Sequence, residues 1–189
     1  MAESIIFLLI IGFALIWVIY IFNIHWVDPR IFVSLLFLLV LPGFYAACTT
    51  GPFVPSSKKR HMNMLMLADL KSSDIVYDLG CGDGRLIFSA APHVKKAIGY
   101  ELSIPLIIFA KIKAFMTRSK VQVRFGNIWK QDYSDADVIF CYLLPRAMEH
   151  FFKEIWPKLK PGTRVVSNAF QIHHLQPNKQ IDNVFLYVA

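Results

Sequence analysis

The chain opens on two apolar runs separated by a short polar link. Residues 5–22 carry no charge, and Asn23, His25 and Trp26 follow them. After Val27-Asp28-Pro29-Arg30 a second run covers 31–48, broken by Pro42-Gly43. An uncharged run of this kind is long enough to span a hydrocarbon core, and a tryptophan suits the interface at its end. The pattern predicts a hairpin of two transmembrane helices, about 5–26 and 31–48, forming an anchor 1–48 ahead of a domain 49–189. Glu3 in place of a basic leader, and the length of the first run, argue against a cleaved signal peptide. A buried soluble helical hairpin is the alternative.

Beyond residue 50 the period of the pattern changes. Gly51-Pro52-Phe53-Val54-Pro55 reads as a stiff connector, because both prolines fix φ and keep the residue before them extended. Ser56 or Ser57 can cap a helix through Leu70, with Met62, Leu65, Met66 and Leu70 at helical spacing. Short apolar runs then alternate with helical stretches. They predict strands over 75–79, 97–101, 121–125 and 137–142, a fifth ending at Ser167, and a helix over 105–118. Residues 184–188 predict a terminal antiparallel strand, with the usual last strands abbreviated. Such alternation implies an α/β domain with a doubly wound, Rossmann-like parallel sheet.

Charge divides the chain in the same place. The first 48 residues hold only Glu3, Asp28 and Arg30, a net of −1, so the remainder carries +8 against +7 for the whole chain. A basic domain behind an apolar leader points to an anionic membrane surface, and no nucleic-acid-binding signature accompanies the charge. Lys58-Lys59-Arg60 places that end of the anchor on the cytoplasmic side. The three cysteines, Cys48, Cys81 and Cys141, make no zinc spacing and no disulfide framework, which suits a reducing compartment. His173-His174 has no third ligand in the pattern, and no metal is expected.

The chemistry gathers at Ile75-Val76-Tyr77-Asp78-Leu79-Gly80-Cys81-Gly82-Asp83-Gly84-Arg85. An apolar run leads to an acid, then three glycines at alternate positions, then a helical pattern. Glycines suit positive φ or the close approach of a ligand, and unpaired amides at a helix start suit an anion. A dinucleotide fingerprint would carry its third glycine where Arg85 stands. Glu101, 23 residues after Asp78, ends the second predicted strand, where a carboxylate can accept ribose hydroxyls.

Acid-x-Gly-x-Gly-x-Gly resembles the first motif of the seven-strand, class I S-adenosylmethionine-dependent methyltransferases. The likeness sharpens when Gly-Pro-Phe-Val-Pro, the motif and Tyr142-Leu143-Leu144-Pro145 are taken together in that order. Over residues 51–170 the combination resembles the small membrane-anchored lysine methyltransferases that modify mitochondrial adenine nucleotide translocase and the ATP synthase c-subunit. The resemblance implies S-adenosylmethionine as cofactor. Asp78 would take its ammonium, the loop Gly80, Cys81, Gly82, Asp83 and Gly84 would face its carboxylate and adenosine, and Glu101 with Leu102 would meet the ribose. Asn127 and Ile128 would lie beside the adenine, although relatives usually have Asp at the first position. Tyr142 is the candidate catalytic residue, and Phe53, Pro55, Leu143 and Pro145 are candidates for the substrate channel. Relatives often carry Ser-His-Asp-Phe at the fifth strand's end, where this chain has Ser167-Asn168-Ala169-Phe170.

These features predict an N-methyltransferase acting on a lysine of a membrane-embedded protein, with the lipid bilayer as second partner and no nucleic acid. Its expected location is a multi-pass position in the bacterial inner membrane, or the mitochondrial one in a eukaryote, with the domain on the cytoplasmic side. Methylation of a small molecule or phospholipid headgroup is the alternative, and a non-catalytic cofactor-binding protein is a second.

Overall fold

The computed structural model describes residues 29–51 and 53–189. Seven strands form one sheet in the order β3-β2-β1-β4-β5-β7-β6. Strands β1 (Ile75–Leu79), β2 (Lys96–Glu101), β3 (Gln122–Phe125), β4 (Val138–Cys141) and β5 (Arg164–Asn168) run parallel. Strand β7 (Val184–Val188) lies antiparallel on β5, as its pattern predicts, and the short β6 (Lys179–Ile181) pairs antiparallel with β7. The hairpin between them turns at Asp182, whose φ of 51° is one that an Asx residue tolerates.

Strands buried on both faces read as near-continuous apolar runs, and β4 is buried at every position. Successive side chains feed two cores. On one face Val76, Phe140 and Val166 pack with Met64 and Leu67 of α2 (Lys58–Ala68), Ile87 of α3 (Arg85–Ala90) and Ile107 of α4 (Ile104–Met116). On the other, Tyr77, Ile139 and Val165 pack with Met148 and Phe151 of α5 (Pro145–Glu154). Ser57 caps α2, accepting from the Arg60 amide at 3.4 Å, and Asp69 ends the helix with φ 45°. Helix α3 has only six residues before a tighter turn over Ala91–His93, which contains Pro92.

The N-terminal part requires a correction. Among the described residues no helix is long and apolar enough to cross a membrane, so the expected multi-pass membrane location is overturned. The first apolar run, 5–26, lies outside the described residues, and the second forms α1 (Pro29–Thr49). Pro42 lies inside that helix, where it removes one amide donor. Its later half lies on the domain instead of standing apart from it. A Cβ placed on Gly43 would meet Ser103 at 3.3 Å, ahead of α4. The Leu144 amide donates to the Thr50 carbonyl at 2.9 Å, so the chain leaving α1 is fastened at the end of β4.

Candidate active site

Strands β1, β2, β4 and β5 finish at one edge of the sheet. Leu79 is in register with both Tyr100 and Cys141, and Cys141 with Ser167. In open parallel sheets this carboxyl edge is where ligands bind. The segments that leave it hold almost every residue singled out above.

The glycine loop crosses the edge after β1. Gly80, Gly82 and Gly84 take φ of 75°, 57° and 76°, a region that only glycine enters without steric cost. That accounts for their alternate spacing. The amides of Gly80 and Cys81 both donate to the Tyr100 carbonyl at 3.0 Å, and the Gly84 amide donates to the Cys81 carbonyl at 2.9 Å. These bonds hold the loop's shape. At Gly80 no atom lies within 4 Å of the position a Cβ would take, which leaves an open cradle. Cys81 is buried, with its thiol turned onto Gly99, and burial raises its pKa well above the ordinary value.

Two carboxylates flank this cradle in different states. Glu101 is fully engaged: Oε2 accepts from the Gly82 amide at 2.9 Å, and Oε1 from the Leu102 and Ser103 amides at 2.9 and 2.8 Å. One acceptor site on Oε2 remains for a ligand hydroxyl, while Oε1 already accepts twice. Asp78 is buried yet accepts no hydrogen bond from the described residues. Burial, then the neighbouring Glu101 and Asp83 carboxylates, push it up to about 7. A buried carboxyl without a partner is costly, so a cation beside it would be strongly favoured.

Asp83 is already paired. Arg85 Nη2 lies 2.7 Å from it and Nε at 3.0 Å. Burial opposes its charge, but the Arg85 bonds prevail and hold the carboxyl below its usual range. Asn127 Oδ1 accepts from the Trp129 amide at 3.0 Å, which leaves its amide nitrogen toward any ligand. Ile128 is buried in the core, its carbonyl accepting from Tyr133.

The candidate entrance lies between the strap 53–57 and the ends of β4 and β5. The Phe53 ring lies against Gly82, in the space a side chain there would need. Phe53 and Pro55 are exposed, as is Pro145. Tyr142 is half-buried and stacks on Phe170, ring centroids 6.2 Å apart. Leu143 points the other way, 2% exposed within the core. Three contributors escape the sequence reading. Phe170 forms the aromatic pair with Tyr142. Arg85 grips Asp83 and reaches the Ser56 carbonyl at 3.4 Å, and Asn168 Nδ2 donates to Ser56 Oγ at 3.0 Å. The last two bonds span long sequence separations, which spacing alone does not reveal.

Residues 78–179 match the ANTKMT methyltransferase domain. The chain belongs to that family. A protein-lysine N-methyltransferase of Saccharolobus islandicus (strain REY15A) is 38% identical over 149 residues, covering 72% of this chain and 92% of that one. The ATP synthase c-subunit lysine N-methyltransferase of Homo sapiens is 28% identical over 156 residues, 79% of this chain and 66% of that protein. Among solved structures, an RNA methyltransferase from Salinibacter ruber in complex with S-adenosyl-L-homocysteine has a TM-score of 0.68 at 32% identity, covering 71% of this chain and 93% of that one.

This family member is therefore an S-adenosylmethionine-dependent methyltransferase with a class I, Rossmann-like seven-strand sheet. The residues present suit that cofactor. The open backbone at Gly80 admits its approach, unpartnered Asp78 suits its ammonium, and Glu101 Oε2 can accept from a ribose hydroxyl.

Proposed function

We propose that this methyltransferase is a protein-lysine N-methyltransferase with its catalytic domain over 49–189. The observation that carries the reading is one sheet edge on which Asp78 and Glu101 flank the glycine loop while Tyr142 and Phe170 stack across the next strand ends. The activity for which the Saccharolobus relative is named supplies the substrate class.

When bound, S-adenosylmethionine supplies a sulfonium methyl open to displacement by a nucleophile. Asp78 holds its ammonium, Glu101 its ribose and Asn127 its adenine, with Leu102 and Ile128 beside them. The chain's remaining task is to align a neutral amine. A free lysine of pKa ~10.4 is mostly charged at neutral pH, and a dry aromatic channel disfavours that charge. The proton therefore passes to solvent before attack. Tyr142 accepts a hydrogen bond from the amine and turns its lone pair toward the methyl group. Phe53, Pro55 and Pro145 line the approach, and Leu143 packs beneath.

The reading extends to a lysine of a membrane-embedded protein. Exposed Phe53, Val54 and Leu144 give the entrance an apolar rim, and several relatives are named for the ATP synthase c-subunit. The Salinibacter structure is described as an RNA methyltransferase, so RNA is the competing polymer. Cell extract and membranes incubated with methyl-labelled cofactor separate the readings. Label on lysine in a protein band supports the proposal. Label in RNA, lipid or a small molecule replaces the substrate class, and label nowhere leaves a cofactor-binding protein.

A further inference from the structure

Asn168 ends β5 with no exposed surface, and its Oδ1 is one of two buried side-chain polar atoms without a partner among the described residues. A buried polar atom left unpaired is destabilising, so something other than stability accounts for the amide. Its other end provides the account. Nδ2 donates to Ser56 Oγ at 3.0 Å, across 112 positions of sequence. Ser56 belongs to the strap, and Arg85, the first residue of α3, reaches its carbonyl at 3.4 Å.

The strap and the turn after β5 carry the two walls of the entrance. Three residues before Ser56, Phe53 lies on Gly82. Two residues after Asn168, Phe170 stacks on Tyr142. That turn is rigid: Ser167 Oγ donates to the Phe170 carbonyl at 2.6 Å, the Ala169 amide to the Asn183 carbonyl at 2.7 Å, and Ala169 takes φ 68°. The strap, by contrast, is stiffened by Pro55 and mostly exposed. A stiff segment fastened at few points moves as a unit when one fastening is lost.

We propose that Asn168 is a positioning residue for methyl transfer. Through Ser56 it registers the strap against the end of β5, so that Phe53 and the Tyr142–Phe170 pair face each other across one lysine channel. An amide suits this better than a carboxylate. It donates to Ser56 without adding a third buried acid to an edge that already holds Asp78 and Glu101. The inference rests on the lysine methyltransferase reading for its activity arm only.

The test combines Asn168→Ala, Ser56→Ala and their double variant in the full chain. With a lysine peptide as substrate, each single variant should lower kcat roughly tenfold while the cofactor Kd stays within about twofold, since misplacement acts on alignment. The double variant should be no worse than the weaker single, because both remove one bond. Independently of turnover, 4-fluorophenylalanine at position 53 should give one displaced fluorine resonance in the wild type. In all three variants it should move toward the free-solution value. Wild-type kcat in Asn168→Ala, or single effects that multiply in the double variant, would overturn the proposal. So would an unmoved resonance, or activity lost only in proportion to lost folded protein by circular dichroism. A wild type that methylates no lysine overturns the functional reading instead, and the fluorine arm still decides the role of Asn168.

Discussion

The Gly82 amide donates to Glu101 Oε2 at 2.9 Å, joining the glycine loop after β1 to the last residue of β2. Glu101 also accepts from the Leu102 and Ser103 amides, so one carboxylate organises three backbone donors at the cofactor edge. It shapes the loop before any ligand arrives.

Glu101→Ala should therefore do more than remove a contact to ribose. It strands three amides, and the loss of bonds to a charged group weakens S-adenosylmethionine by about 1.5–3 kcal/mol. Glu101→Gln keeps one acceptor oxygen and should fall between. Calorimetric titration measures both. Equal affinity in wild type and Ala variant would remove Glu101 from the cofactor site.

On the proposed reading, in which Asp78 takes the cofactor's ammonium, cofactor binding depends on pH. Its carboxyl stands near 7, and the cofactor's ammonium requires the carboxylate. Below that pH binding must expel a proton, so affinity should fall toward about tenfold per unit of pH, and should be flat above it. The sign for stability is the reverse of the usual acid case. The folded state holds a proton that the unfolded chain releases near 3.8, so this group's contribution is greatest at the acid end and declines as pH rises toward 7. Asp83 and Asp137, held below the usual range, act beneath that window. Asp78→Asn should abolish the affinity slope and flatten stability between those limits. Calorimetry and denaturant melts across pH 4–8 read the two effects, a range of roughly four units chosen around the carboxyl. A slope that survives in the Asn variant belongs to another group.

Gly82 is limited twice, by its φ of 57° and by the Phe53 ring. Gly82→Ala should cost about 1–2 kcal/mol of stability from the left-handed backbone alone. Displacement of the ring adds to this. Phe53→Ala in the same chain relieves the clash but not the backbone, so the double variant should recover part of the loss. Thermal melts of the four proteins make the comparison, and no recovery would mean that the ring is free to move.

The sheet and the glycine loop were legible because both are local signals. Buried parallel strands read as continuous apolar runs, and alternate glycines report a backbone that must turn left-handed three times. The entrance was legible only in part. Tyr142 stood out by its place after β4, but Leu143 beside it faces the core, a consequence of strand alternation carried two residues past the strand. Phe170, Arg85 and Asn168 join it through contacts across long stretches of chain, which no spacing encodes. The second apolar run misled for a physical reason. Hydropathy alone does not distinguish a helix that crosses a bilayer from one that is laid on the start of α4 through Gly43.

Tyr142 and Phe170 separate two accounts of the chemistry. If Tyr142 only orients an amine that has already lost its proton, Tyr142→Phe should lower kcat roughly tenfold, somewhat less than a positioned acid or base contributes. Cofactor Kd should not change, because the proposed role of the phenol is toward the amine and not toward the cofactor. The pH profile then decides the role. With the proton lost beforehand, kcat/KM should rise with pH as the free lysine deprotonates, and the slope should persist in Tyr142→Phe. Phe170→Ala, which removes the stacking partner at 6.2 Å, should raise KM more than it lowers kcat, since it opens the wall without touching the acceptor. Rates for the three proteins on one lysine peptide across pH settle the matter. A Tyr142→Phe variant that loses the pH slope along with its rate would make the phenol the base, and deprotonation by solvent would have to be abandoned.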